Sequence, residues 1–271
     1  MMKGIDYIVD SIYLKRLGPL VHSNRVRIND VLFLSFPKSG RTWARYFFAS
    51  YIAQLIGDDL PVEWDQFTVY TPSYRIGVIG AGRDLLSSTT TEPRMIWSHD
   101  RHARRYICNR KVVFFTRDII SLIESYFFFH QKRNGLPSKT RTLDDYALRG
   151  FDHTKCIEVI NGFCSKFDQA SEVKIVRYED MKLNNINVFK ELLAFSGLFW
   201  NEQFFHRAVE MSSFSKMRET ELRYKRQHDD DLHLRAANGR GDTSISDDVC
   251  KELYAFYRAN LPIIVNGYWQ S

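Results

Sequence analysis

The sequence predicts an α/β sandwich around a parallel sheet, with residues 1 to 271 forming one domain. Three observations carry this expectation. Four short runs are rich in β-formers, and three of them are near-continuously apolar, the pattern of strands covered on both faces. Helical patterns lie between the runs, which implies crossover connections and parallel strands. Each run also ends in polar residues, at the sheet edge where ligands bind in such folds.

The first run is Val31 to Phe36 (VLFLSF), followed by a helix in which Trp43, Phe47, Tyr51 and Leu55 recur at i, i+4 spacing. The second and third runs are Arg94 to Ser98 (RMIWS) and Val112 to Thr116 (VVFFT). Asp118 is a natural N-cap for a helix carrying Ile119, Leu122, Ile123 and Tyr126. The fourth run is Val173 to Arg177, and further helices are expected over Asn187 to Phe195 and Asp247 to Arg258. Residues 71 to 93 are rich in Gly, Ser and Thr, and residues 215 to 245 mix charges with Asn-Gly and Gly-Asp; both read as surface loops near a site.

Composition excludes several classes. Apolar residues make up 44% and charged residues 26%, the balance of an ordered globular chain. No stretch approaches the ~20 apolar residues of a membrane span, and Met1 to Asp10 lacks a signal-peptide pattern, so a cytoplasmic protein without stable membrane insertion is expected. Cys108, Cys156, Cys164 and Cys250 show no C-x-x-C spacing and sit among apolar residues. They read as buried free thiols, and no metal is indicated. The net charge of +6 is too small to argue for nucleic acid.

The chemistry gathers at the strand ends. They carry Pro37-Lys38-Ser39-Gly40-Arg41-Thr42, then Ser98-His99-Asp100, then Arg117-Asp118, then Tyr178-Glu179-Asp180. A lysine, a histidine, an arginine and a tyrosine suit an anionic site with one titratable base. A strand, then Lys38 to Thr42, then a helix lets backbone N–H groups converge on a phosphate, with Lys38 adding charge and Thr42 a hydroxyl. The Walker pattern places its lysine directly after the second glycine, whereas Lys38 precedes Gly40 by two residues, which disfavours a kinase-like phosphotransferase.

F-P-K-S-G-R-T-W at 36 to 43 resembles the 5′-phosphosulfate loop of sulfotransferases that use 3′-phosphoadenylyl sulfate (PAPS) and release the desulfated nucleotide PAP. The resemblance implies that Lys38, Ser39, Gly40, Arg41 and Thr42 hold the donor, that Trp43 stacks on adenine, and that Arg117 and Ser125, eight residues apart, grip the 3′-phosphate. Arg177-Tyr178-Glu179-Asp180-Met181 is similar to the segment whose tyrosine contacts adenine. Ser212, Phe214 and Met217 match the family's T-S-F-x-x-M segment, with Ser212 in the threonine's place. Pro93 to His99 resembles the stretch that ends in the catalytic histidine of cytosolic members. Arg41 replaces a common threonine, and Trp97 stands where cytosolic members often carry a lysine near the acceptor. The C-terminal R-K-G-x-x-G-D-W segment is only partly present: Gly241-Asp242 matches its G-D, and Arg235 and Arg240 compete for the 3′-phosphate.

The implied activity is in-line sulfuryl transfer to a hydroxyl or amine, with Lys38 stabilising the leaving oxygen, His99 as general base and Ser125 positioning Lys38, without a metal. His130, on the same helix as Ser125, competes for the role of base. The acceptor is expected to be a small molecule, glycan or lipid, framed by residues 71 to 93 and 131 to 150, and a homodimer is left open. Among Tyr126, Phe127, Phe128 and Phe129, four consecutive helix positions, most must face the core. Arg101, His102, Arg104 and Arg105 are either a site for an anionic acceptor or a solvated loop. Residues 94 to 141 hold 11 Lys+Arg against 3 Asp+Glu, so the basicity concentrates around two strand ends.

Overall fold

The computed structural model describes residues 28–58, 60–75, 78–79, 93–133, 142–228 and 244–266. Four strands form the central sheet: β1 (Val31–Ser35), β2 (Met95–Ser98), β3 (Lys111–Thr116) and β4 (Glu172–Arg177). They are all parallel, in the order β2-β1-β3-β4. Leu34 lies opposite both Ser98 and Phe114, and Thr116 opposite Arg177, so the carboxyl ends of all four strands reach one edge.

The longer helices between and after the strands are α1 (Arg41–Leu55), α2 (Ile119–Arg133), α3 (His153–Cys164) and α4 (Tyr178–Leu183). They continue as α5 (Asn185–Ser196), α6 (Glu202–Met211), α7 (Phe214–His228) and α8 (Asp247–Asn260). Alternation along each strand sends neighbours to opposite faces. Leu32, Leu34, Val112 and Phe114 pack with Ile123, Phe163 and Tyr257 from α2, α3 and α8. Val31, Phe33, Val113 and Phe115 pack with Phe47, Leu192 and Phe205 from α1, α5 and α6. Both faces are therefore apolar, which explains the unbroken hydrophobic runs.

Each expected strand forms within a residue of its expected ends, and the Asp118 carboxylate accepts from the Ser121 N–H at 2.9 Å, capping α2 as read. Three expectations are corrected. The segment from 215 is helical as far as His228, because Met217, Thr220 and Glu221 at i, i+3, i+4 form a buried face that composition hides. Residues 71 to 93 begin inside the fold: Thr71 is buried, the Trp97 N–H donates to the Pro72 carbonyl at 3.0 Å, and Tyr74–Arg75 pairs with Val78–Ile79. Cys108 is exposed and Cys164 and Cys250 are half-buried, so Cys156 alone meets the expectation of full burial. Burial raises the Cys156 thiol to about 12.

Candidate active site

The site grows from the carboxyl end of β1. Lys38 and Gly40 both adopt positive φ, 70° and 85°, two residues apart. Left-handed residues within a short loop make the backbone concave toward an anion, and the Gly40 carbonyl then accepts from Trp43 and Ala44 to start α1. Helical N–H groups bond back along the chain, so those at the very start of α1 point out of the helix toward the loop. Gly40 is required twice over: beyond its φ, a Cβ there would meet Tyr178 Cδ2 at 2.6 Å. Gly40→Ala is expected to lose at least about 1 kcal/mol of stability and to weaken PAP binding, both read by thermal denaturation with and without nucleotide. An unchanged response to PAP contradicts that role.

Arg117, just after β3, braces this loop. Its guanidinium donates to the Lys38 carbonyl at 3.0 Å and lies over the Tyr178 ring at 4.3 Å. Burial lowers its pKa, with Tyr178 and Glu179 opposing that shift. Arg117 Nε and the half-buried Trp43's Nε1 are buried donors without a hydrogen-bond partner among the described residues, both beside the loop. Trp43 meets Tyr178 edge-on at 6.5 Å and packs against the Tyr46, Trp64 and Met217 cluster. Loop, Arg117, Tyr178, Trp43 and the start of α7 are thus brought together.

The Lys38 ammonium sits over the Phe129 ring of α2, 4.6 Å from its centroid. Ser125 is half-buried one helical turn before Phe129, on the same face, so α2 presents Ser125 toward the side that holds Lys38. Tyr126, Phe127 and Phe128 pack on or within the core, as expected of most of the run.

His99 follows β2, adjacent to β1. Its Nδ1 lies 2.9 Å from both the carbonyl and the hydroxyl of Ser35. A carbonyl only accepts, so Nδ1 carries the proton and donates, and Nε2 keeps the lone pair a base needs. His130 is held differently: Nδ1 meets the Tyr146 hydroxyl at 2.9 Å, and burial and the nearby Lys38 lower its pKa. His153 is also lowered, chiefly by burial, and bonds the Ala147 carbonyl and the Tyr257 hydroxyl. Both bind protons less readily in the folded state. Above the ordinary imidazole range near ~6.5 neither state is protonated and nothing changes; below it the unfolded chain takes up protons first, so stability declines. Melting temperature is expected to fall between pH 7 and 5, less steeply in His153→Gln; equal slopes contradict this.

A cleft of about 530 Å³ opens on the His99 side, between the turn after β2 and the start of α3, with Asp100, Arg101, Lys155 and Glu158 on its walls. A family model described as a sulfotransferase domain matches residues 28–241. The chain belongs to the sulfotransferase family. Zebrafish (Danio rerio) cytosolic sulfotransferase 1 is 27% identical over 197 residues, 66% of this chain and 62% of that protein. Mouse (Mus musculus) sulfotransferase 1B1 is 27% identical over 214 residues, 71% and 67% of the two chains. The match thus spans less than two thirds of the zebrafish protein. Among solved structures, mouse sulfotransferase SULT7A1 complexed with PAP superposes with a TM-score of 0.55 at 16% identity, covering 87% of this chain and 84% of that one. Retinol dehydratase in complex with androsterone and inactive cofactor PAP gives 0.57 at 17%, covering 93% and 85%. These likenesses establish a shared fold.

Within this sulfotransferase fold the remaining expected residues are placed unevenly. Ser212 is fully buried and its hydroxyl donates to the Val209 carbonyl at 3.2 Å, while Met217 is a core residue beside Trp43. Phe214 is 45% exposed at the start of α7. Trp97 lies wholly in the core, its ring 4.3 Å from Phe33. Ser39 is buried, Arg41 and Thr42 are half-buried in the first turn of α1, and Arg235, Arg240 and Gly241 lie outside the described residues. Sequence reading missed Ser35, whose partnership with His99 exists only once β1 and β2 pair. It also missed α3, although Asp152 before Cys156, Val159, Ile160 and Phe163 spells a cap and an i, i+3, i+4, i+7 stripe.

Proposed function

We propose that this protein transfers the sulfuryl group of PAPS to an acceptor hydroxyl or amine. The observation that carries the reading is the loop: two left-handed residues at the mouth of α1, Lys38 itself and Gly40, with the Arg117 guanidinium bracing the Lys38 carbonyl. Left-handed residues in a short loop turn backbone N–H groups toward one point, and the phosphates of the nucleotide supply acceptors for them. Bound PAPS supplies a sulfuryl group whose bond to phosphate oxygen breaks as a bond to the acceptor forms.

The chain's own groups divide the remaining work. His99 receives the acceptor's proton at Nε2, its ring held by Ser35. Lys38 sets an ammonium against the charge that develops on the departing phosphate oxygen. Arg117 holds the loop through the Lys38 carbonyl, and Ser125 positions Lys38 from the same helix face as Phe129. Arg41 and Thr42 line the helix start, with Tyr178, Phe214 and Met217 around the adenine side and either Arg235 or Arg240 at the 3′-phosphate. No metal is assigned a role. No helix of the described residues is long and apolar enough to cross a membrane, and a cytosolic setting is proposed on the likeness to the zebrafish relative.

The test is transfer of label from [35S]PAPS to a mixed panel of hydroxyl and amine acceptors. Labelled ester or sulfamate is expected, and loss of it in Lys38→Ala. Phosphate transfer from labelled ATP with none from PAPS would overturn the reading in favour of a kinase-like enzyme.

A further inference from the structure

The cleft beside His99 has a chemistry of its own. Its described residues set polar heads on carbon stems: Asp100 and Arg101 follow His99 on one wall, Asp152, Lys155 and Glu158 stand on the other, and Val159 lies among them, so charged heads rim a wall that is largely aliphatic stem and ring surface. A volume of about 530 Å³ lies within the range of small-ligand sites, yet those sites are usually lined by apolar and aromatic groups. A flat apolar acceptor would cover these charged heads and return nothing to them, and each buried polar group left without a partner is penalised.

Charged heads of both signs stand in the described lining, and several are engaged. Arg101 pairs with Glu158 at 3.3 Å across the cleft. The Asp100 carboxylate accepts the His102 N–H at 2.8 Å and the Asp152 carboxylate accepts the Lys155 N–H at 3.0 Å. Each carboxylate keeps further lone pairs for a hydroxyl donor, and the Lys155 and Arg101 heads donate to a hydroxyl oxygen. Three carboxylates against two cations leave no excess positive charge, which speaks against an anionic acceptor despite the arginines at 101, 104 and 105. Donor and acceptor heads of both kinds on facing walls suit a molecule whose hydroxyls both donate and accept.

Resting on the sulfotransferase reading above, we infer that the acceptor is a neutral polyhydroxylated molecule, a saccharide or polyol, held between the turn at Arg101 and the start of α3. His99 on the wall then faces one of its hydroxyls, while Lys155 and Glu158 select the molecule by hydrogen bonding to the others.

The experiment pairs binding with turnover. Myo-inositol, cellobiose and a neutral oligosaccharide mixture are compared with androsterone and a uronate-containing disaccharide, by ligand-observed NMR in the presence of PAP and by label transfer from PAPS. The inference expects NMR binding of a neutral saccharide or polyol and at least tenfold higher kcat/KM for it than for androsterone or the uronate. Lys155→Met with Glu158→Leu, both surface positions, is expected to reduce that binding and kcat/KM at least tenfold without changing the thermal shift caused by PAP. Absence of saccharide binding, preference for androsterone or the uronate, or indifference to the double substitution overturns it. The PAP shift separates the two levels: a shift without saccharide binding refutes the polar acceptor alone, whereas no shift refutes the donor reading and the inference with it.

Discussion

His99→Ala is expected to lower kcat by about 10²- to 10⁴-fold while the protein still responds to PAP. The expectation follows from how the ring is held. Ser35 ends β1, His99 follows β2, and the two strands are hydrogen-bonded neighbours, so the Ser35 carbonyl fixes the imidazole in the tautomer whose Nε2 accepts a proton. Removing the ring is expected to leave the nucleotide loop in place, because Arg117 holds the Lys38 carbonyl and lies over Tyr178, and Tyr178 also abuts Gly40. Lys38→Ala beside it is expected to lose about 10²- to 10³-fold, the usual effect of removing one donor to a developing oxyanion. Near-normal turnover in His99→Ala, with a collapse in His130→Ala instead, would move the base to α2, where burial and Lys38 already hold His130 in its neutral form.

The second large effect concerns stability. Asp30 and Arg94 sit just before β1 and β2 and form a two-pronged ion pair, with Nε to Oδ1 at 2.8 Å and Nη2 to Oδ2 at 2.6 Å. Both are buried, at 1% and 6% exposure. The Val31 N–H donates to the Arg94 carbonyl at 2.9 Å, so the pair pins the register of the two strands whose far ends carry Lys38 and His99. Asp30→Ala leaves a guanidinium buried without its partner and is expected to destabilise the fold by about 3–5 kcal/mol in chemical denaturation. Asp30→Leu with Arg94→Met is expected to be milder than either single change, since it removes both charges. A single substitution worth under about 1 kcal/mol contradicts this account of the register.

The legible parts of the molecule were those encoded locally. Apolar runs mark the strands because both sheet faces are covered, and Asp118 marks α2 because a cap bonds three residues ahead. Lys38 to Thr42 announces the loop because strand, turn and helix are contiguous in the chain. What depended on distant contacts was hidden. The Ser35 partner of His99, the Phe129 ring under Lys38 and the cleft wall at Lys155 are set by strand pairing and helix packing. Helix α7 was hidden for another reason: its inward face includes Thr220, which bonds the Tyr46 hydroxyl at 3.2 Å, and Glu221, which pairs with Arg218 at 2.7 Å, so polarity there does not report exposure. Trp97 stands where the resembled family often carries a lysine near the acceptor, and strand alternation turns it into the aromatic core with Phe33 and Phe115.

The central claim is that the loop after β1 holds a phosphosulfate nucleotide, and a thermal-shift comparison of PAP with Mg-ATP tests it most directly. The account predicts stabilisation by PAP of about 2.7 kcal/mol at a hundred times its Kd, diminished in Gly40→Ala, with no comparable effect of Mg-ATP. Stabilisation by Mg-ATP with none by PAP would contradict it.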